Sequence, residues 1–166
     1  MLDIVIHPNE NLRKRSVEIN SEFLLSSDTQ KLIQEMIPTM KLKDGVGLAA
    51  PQIGKNIRIC VIAKEALQKD EKTNYNKKQN DLILINPIWE KTSRKKNIDT
   101  EGCLSVPGFF GEVRRYSDII VKALNEHGES LEFDAHDYFA RVIQHEVDHL
   151  DGILFIDKAQ KIFQEK

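Results

Sequence analysis

Cysteine is scarce in this chain: Cys60 and Cys103 are the only two among 166 residues, which excludes a disulfide framework. None is needed, because a chain of this length buries about 70% of its unfolded surface and can build a core without covalent staples. Long apolar runs are missing as well. Nothing approaches the roughly 20 residues that cross a bilayer, so no membrane insertion is expected. The opening stretch MLDIVIHPNENLRKR lacks the basic leader and apolar run of a signal peptide, which makes the cytoplasm, where thiols stay reduced, the expected compartment. There is no excess of one charge: a formal net charge of -2 gives no general attraction for nucleic acid, and no direct DNA binding is expected. The short basic clusters, Lys41 with Lys43 and SRKKN around Lys95, read as solvated surface. Internal repeats are absent. What is present, 40% hydrophobic and 30% charged residues, is the composition of a globular protein, and one domain over residues 1–166 is expected.

The segment SSDTQKLIQEMIPTMKLKD predicts a helix capped by Ser27 or Asp28, with Leu32, Ile33, Met36, Ile37 and Met40 on one face. Pro38 is expected to kink or interrupt it. GVGLAAPQIG is too rich in glycine and proline for regular structure, whereas IRICVIA and LILINP predict strands, with Cys60 packed in the first. Between them, LQKDEKTNYNKKQND reads as a mobile loop. SDIIVKALNEHGESLEFDA predicts a hairpin with His127 and Gly128 near its turn and His127 facing solvent. In YFARVIQHEVDHLDGILF, Ala140, Ile143 and Val147 form an apolar stripe at helical spacing. The expected fold class is therefore α+β, with mainly antiparallel sheets packed around a central helix that carries HExxH. A helix in the N-terminal half and a short C-terminal helix complete it.

HExxH carries the chemistry. On a helix, His145 and His149 lie about 40° apart around the axis and roughly 6 Å along it, so both imidazoles can reach one ion. Glu146 points about 100° away, placed for a base rather than a ligand. A hydrolytic metal needs a third protein ligand and an open position. The HExxHxxGxxH solution matches through Gly152 and then meets Phe155, and the only later glutamate is Glu165, close to the end of the sequence. The third ligand is thus expected upstream, among Cys60, Cys103, His7, His127 and His136. Cys103 stands out, because Gly102, Ser105, Pro107 and Gly108 mark a segment leaving strand geometry where a thiolate can reach a neighbouring ion.

GVGLAAPQ at 45–52, EGCLS at 101–105 and QHEVDHL at 144–150 together resemble the three signature motifs of peptide deformylases, in order and without a mismatch. The resemblance covers nearly the whole chain. It implies an enzyme that hydrolyses the N-formyl group from the formylmethionine of new polypeptides, releasing formate. One divalent metal per chain, Fe(II) or Zn(II), would be held by Cys103, His145 and His149, with Glu146 as base. Gln52 and the Leu104 N–H would stabilise the oxyanion. The resemblance further implies substrate contacts from Gly45, Gly47 and Gly102, with Val46 and Val142 lining the methionine pocket, and a Glu101–Arg115 ion pair holding the cysteine loop. Two departures stand out. Phe110 occupies a position where some members carry a substrate-touching arginine. The tail also lacks the longer basic helix that docks some relatives on the ribosome, so only transient ribosome association is expected. The competing classes are a zinc metallopeptidase, which HExxH alone would suggest, and a structural metal site, which would need a fourth ligand.

Overall fold

The computed structural model describes residues 1–165. Two helices open the fold, α1 (Ser21–Leu25) and α2 (Ser27–Leu42). Ser26 joins them: its hydroxyl donates to the Phe23 carbonyl at 2.7 Å and accepts from the Thr29 N–H at 3.3 Å. The cap of α2 is therefore Ser26, not Ser27 or Asp28, because α1 ends immediately before it. Nor does Pro38 end α2, which continues to Leu42. Ile33, Met36 and Met40 are buried on its inner face, and that packing outweighs the lost backbone hydrogen bond.

The strands are β1 (Gly47–Ala49), β2 (Ile59–Ile62), β3 (Leu82–Lys91), β4 (Lys96–Cys103), β5 (Val106–Tyr116), β6 (Asp118–Leu124), β7 (Ser130–His136) and β8 (Lys161–Gln164). The remaining helices are α3 (Lys64–Gln68), α4 (Asp137–Leu150) and α5 (Phe155–Lys158). One antiparallel sheet has the order β1-β2-β3-β6-β7, and a second has the order β4-β5-β8. In β3 the register shifts between Ile85 and Ile88. Asn86 there has φ 51° and Pro87 brings no N–H, so the bulge falls where the ladder would lose a donor anyway. The Asn86 side chain then ties down the N-terminal arm, bonding both the N–H and the carbonyl of Ile19.

Helix α4 runs between the sheets, and every residue from Phe139 to Leu150 is buried. Its apolar side packs with Cys60, Leu84, Val121 and Phe133 of the larger sheet, as the central position of HExxH requires. Gly152 ends this region at φ 77°, where a Cβ would lie 2.4 Å from the Arg13 carbonyl oxygen. Its place in an HExxHxxG pattern thus reflects a tight turn under the N-terminal arm.

The hydrophilic segment before β3 is better anchored than its composition implies. Asp70 accepts from the N–H groups of Lys72, Thr73 and His136, and Thr73 donates to the Asp134 carbonyl. Asp70 also meets the His136 ring at 3.2 Å, and His136 is not among the residues whose ligand atoms converge at one point. His127 lies exposed beside the β6–β7 turn.

Candidate active site

A cavity of about 360 Å³ lies over the middle of α4. The segment entering β1 supplies Gly45, Val46 and Gly47 to one wall, with Gln52 behind them. The end of β4 supplies Glu101, Gly102 and Cys103 opposite, followed by Leu104 of the β4–β5 connection, while Val142, His145 and Glu146 rise from the helix. His149 sits below with its Nε2 3.2 Å from Cys103 Sγ. Every site residue singled out in the sequence is therefore in or against one cavity. Cys60 packs in the core instead, and His7, whose N–H donates to the Ser105 carbonyl at 2.8 Å, is among neither the cavity-lining residues nor the converging ligand atoms.

One ligand atom each from Cys103, His145 and His149 can be drawn within 4.8 Å of one another. This donor set suits a divalent ion that keeps one position open. The surroundings suit a cation too. Gln52 Nε2 and the Ser105 N–H point at the sulfur, at 3.5 and 3.4 Å, so the thiolate form of the ligand meets two hydrogen-bond donors. Burial, reinforced by the neighbouring His145, holds His149 well below the ordinary histidine range, and a ligand imidazole must be neutral.

Glu101 governs the other imidazole. Burial alone would raise its carboxyl, but hydrogen bonds from Arg115 and His145 hold it well below the usual carboxylate range. Ionised, it can only accept, so His145 donates from Nδ1 across 2.8 Å and its Nε2 is left free to ligate. Four donors saturate the carboxylate. Oε1 receives Arg115 Nη2 and His145, and Oε2 receives Arg115 Nε at 2.9 Å and Arg141 Nη1 at 2.6 Å. Arg115 continues to Asp148 at 2.5 Å, and Lys158 meets the same aspartate at 3.0 Å. The expected Glu101–Arg115 pair is thus one part of a buried network with Arg141, Asp148 and Lys158.

Glu146 is buried, and its Oε2 has no partner among the described residues. Burial pushes its carboxyl up to about 7, against the opposing pull of His145. A carboxylate tuned near neutrality beside the cavity can accept and return a proton. Its position explains Gly47: a Cβ there would fall 2.5 Å from Glu146 Oε1. Gly47 also lines the cavity, so the same glycine borders both the carboxylate and the space open to a peptide.

Arg141, Asp148 and Ser105 were missed. The first two had a signal: charged residues on a helix expected to be central need buried partners. Ser105, which receives Gln52 Nε2 at 3.2 Å, had none beyond its place in the motif.

Comparison with known proteins agrees with this geometry. Residues 1–165 match the family model described as polypeptide deformylase. Over 166 residues the chain is 40% identical to the peptide deformylase of Thermodesulfovibrio yellowstonii, covering 99% of this chain and 93% of that one. It is also 40% identical over 162 residues to peptide deformylase 1A, chloroplastic/mitochondrial, of Arabidopsis thaliana, with 94% of this chain and 60% of the plant protein covered. The Met-Ala-Ser-bound class I type b peptide deformylase from Acinetobacter baumannii superposes with a TM-score of 0.83 at 31% identity, over 95% of this chain and 98% of that one. The chain belongs to the polypeptide deformylase family, metal-dependent hydrolases that remove the N-formyl group from newly made polypeptides.

Proposed function

We propose that this chain carries out deformylation through one divalent ion held by Cys103, His145 and His149, with Glu146 as general acid-base. The observation that carries the reading is the convergence of those three ligand atoms beside a cavity that Glu146 also lines, with one of its oxygens buried and unpartnered among the described residues. When bound, the ion would supply Lewis acidity, polarising the formyl carbonyl and making a water nucleophilic near neutral pH.

The protein's own groups do the rest. Glu146 takes a proton from the attacking water as its oxygen bonds to the formyl carbon. The Gln52 amide and the Leu104 N–H donate to the developing oxyanion, and Gln52 is held for this by its Oε1, which accepts from the Ala49 N–H at 2.9 Å. As the C–N bond breaks, Glu146 passes the proton to the departing amine, giving formate and a free N-terminus. Gly45 and Gly102 face each other across the cavity with Val46 and Val142, where an extended peptide led by methionine fits. The Met-Ala-Ser-bound Acinetobacter enzyme supports a peptide led by methionine as the occupant.

The proposed metal is iron(II) or zinc(II), because a thiolate with two imidazoles suits both, and iron(II) in a cavity open to solvent is the choice that exposure to air tests. Activity of anaerobically prepared protein should then decay in air and persist longer with cobalt or nickel. An air-stable zinc enzyme with full turnover overturns this choice. Residues 1–166 are proposed as one catalytic domain working in the cytoplasm, and no helix is long and apolar enough to cross a membrane. Residues 161–164 form a strand on β5, and transient ribosome contact is proposed.

The reading is tested by metal analysis and turnover of formyl-Met peptides. Cys103→Ala should lose metal and activity together, while Cys60→Ala keeps both. Full metal retention in the Cys103 variant sinks the ligand assignment.

A further inference from the structure

Phe110 occupies the cavity wall next to Gly102, and the contact is close. A Cβ on Gly102 would lie 2.9 and 3.0 Å from two carbons of the Phe110 ring. The ring's other neighbour comes from the far end of the chain. β8 pairs with β5 so that Phe163 stands opposite Phe110, and the two rings stack with centroids 6.0 Å apart and planes 23° apart. Glu165 extends the attachment, its N–H donating to the Gly108 carbonyl at 2.9 Å. Phe110 is thus sandwiched between the backbone beside Cys103 and one aromatic side chain of the last strand.

The position in the cavity says which part of a substrate this wall meets. His145 and Glu146 form the buried floor, where the formyl end must lie. Phe109, 40% exposed, and the half-buried Phe110 form the rim. A peptide whose formylated end reaches the floor leaves over that rim, so the rim contacts the residues that follow methionine.

We propose that Phe163 is a positioning residue: it holds the Phe110 ring against Gly102 and thereby sets how tightly the cleft binds residues beyond formylmethionine. This rests on the deformylase reading above. An unsupported ring on the rim has more rotamer freedom, and ordering it must then be driven by substrate binding, which weakens binding without touching the reacting atoms. The C-terminal strand, which lies outside all three motifs, becomes part of substrate selection.

The test is steady-state kinetics on formylmethionine and on formyl-Met-Ala-Ser with metal content verified. Phe163→Ala should raise KM for the tripeptide about three- to tenfold, the scale of one lost aromatic pair, with kcat within about twofold. Formylmethionine turnover should match wild type, and Phe163→Tyr should restore the tripeptide KM. In a Phe110→Ala background the second substitution should add nothing, since Phe163 acts only through that ring. If Phe163→Ala leaves the tripeptide KM unchanged, or lowers turnover of both substrates equally, the proposal is overturned while the deformylase reading stands. A wild-type protein that turns over neither substrate removes both.

Discussion

Oε1 of Glu101 lies 2.8 Å from Nδ1 of His145, so the imidazole is aimed by a carboxylate that is itself fixed by two buried arginines. Ligand geometry in this site therefore depends on charges that never touch the reacting atoms. Glu101→Gln keeps the shape but leaves Arg115 and Arg141 facing a neutral amide. Breaking such a buried pair costs about 3–5 kcal/mol, and losing the carboxylate behind a ligating histidine weakens metal binding about 10- to 100-fold. Chemical denaturation and a chelator competition should register both losses, and an unchanged chelator midpoint would refute the orienting role.

Gln52→Leu removes a donor beside Cys103 and an acceptor for Ala49. Loss of one oxyanion donor lowers kcat by about 10²–10³. Metal content should be retained, because Gln52 is not a ligand. An effect confined to KM would make Gln52 a ground-state binding residue instead.

Gly47→Ala puts a methyl group where Glu146 now lies, at 2.5 Å from its Oε1. The carboxylate or the strand must shift, and a small misplacement of a reacting group costs about 10² in rate. Turnover should fall on short and long substrates alike while Cys103, His145 and His149 still load metal. A variant with wild-type kcat would show that Glu146 tolerates displacement.

Away from the site, Arg13 and Asp157 should give stability a pH dependence. Partial burial would raise the Asp157 carboxyl, but the Arg13 side chain and the Leu154 N–H hold it below its ordinary value. A carboxylate with a depressed folded pKa stabilises above its unfolded pKa and loses that contribution as pH falls through the folded one. Asp157→Asn should therefore be slightly less stable at neutral pH, by under about 1 kcal/mol for a half-exposed pair. The gap should close below the ordinary aspartate range, and a gap that widens in acid would contradict the pairing.

The sequence reading located the catalytic helix because its signal is local. Helical spacing brings His145 and His149 to one face, and the apolar stripe beside them implied the burial now seen. Elimination of downstream ligands left five upstream candidates, and Cys103 stood out among them only through the glycines and proline that mark its segment as leaving strand geometry. The Arg115–Asp148–Lys158 chain was not legible, because charge pairing across three elements leaves no periodicity in any one of them. β8 escaped for a related reason: KIFQ is exposed along its length and shows no alternation, and only its register with β5 makes it a strand. Ser26 and Pro38 were misjudged where tertiary packing and an adjoining helix decided a boundary that propensity alone leaves open.

Glu146 separates the roles of base and ligand. It adjoins His145, yet its side chain turns toward Gly47 rather than joining the three ligand atoms, and one of its oxygens is buried without a partner among the described residues. Glu146→Gln preserves size and one acceptor but cannot take up a proton. Metal loading should therefore match wild type, and so should affinity for a non-hydrolysable hydroxamate or peptide product. Turnover of formyl-Met-Ala-Ser should fall by at least about 10²–10⁴, the range supplied by a positioned acid-base group. Loss of metal in the Gln variant would instead make Glu146 part of the ligand shell. If the metal-loaded variant turned over the peptide within about tenfold of wild type, a gap smaller than general-base catalysis supplies, proton transfer by Glu146 would have to be given up and the proton assigned to another group in the cavity.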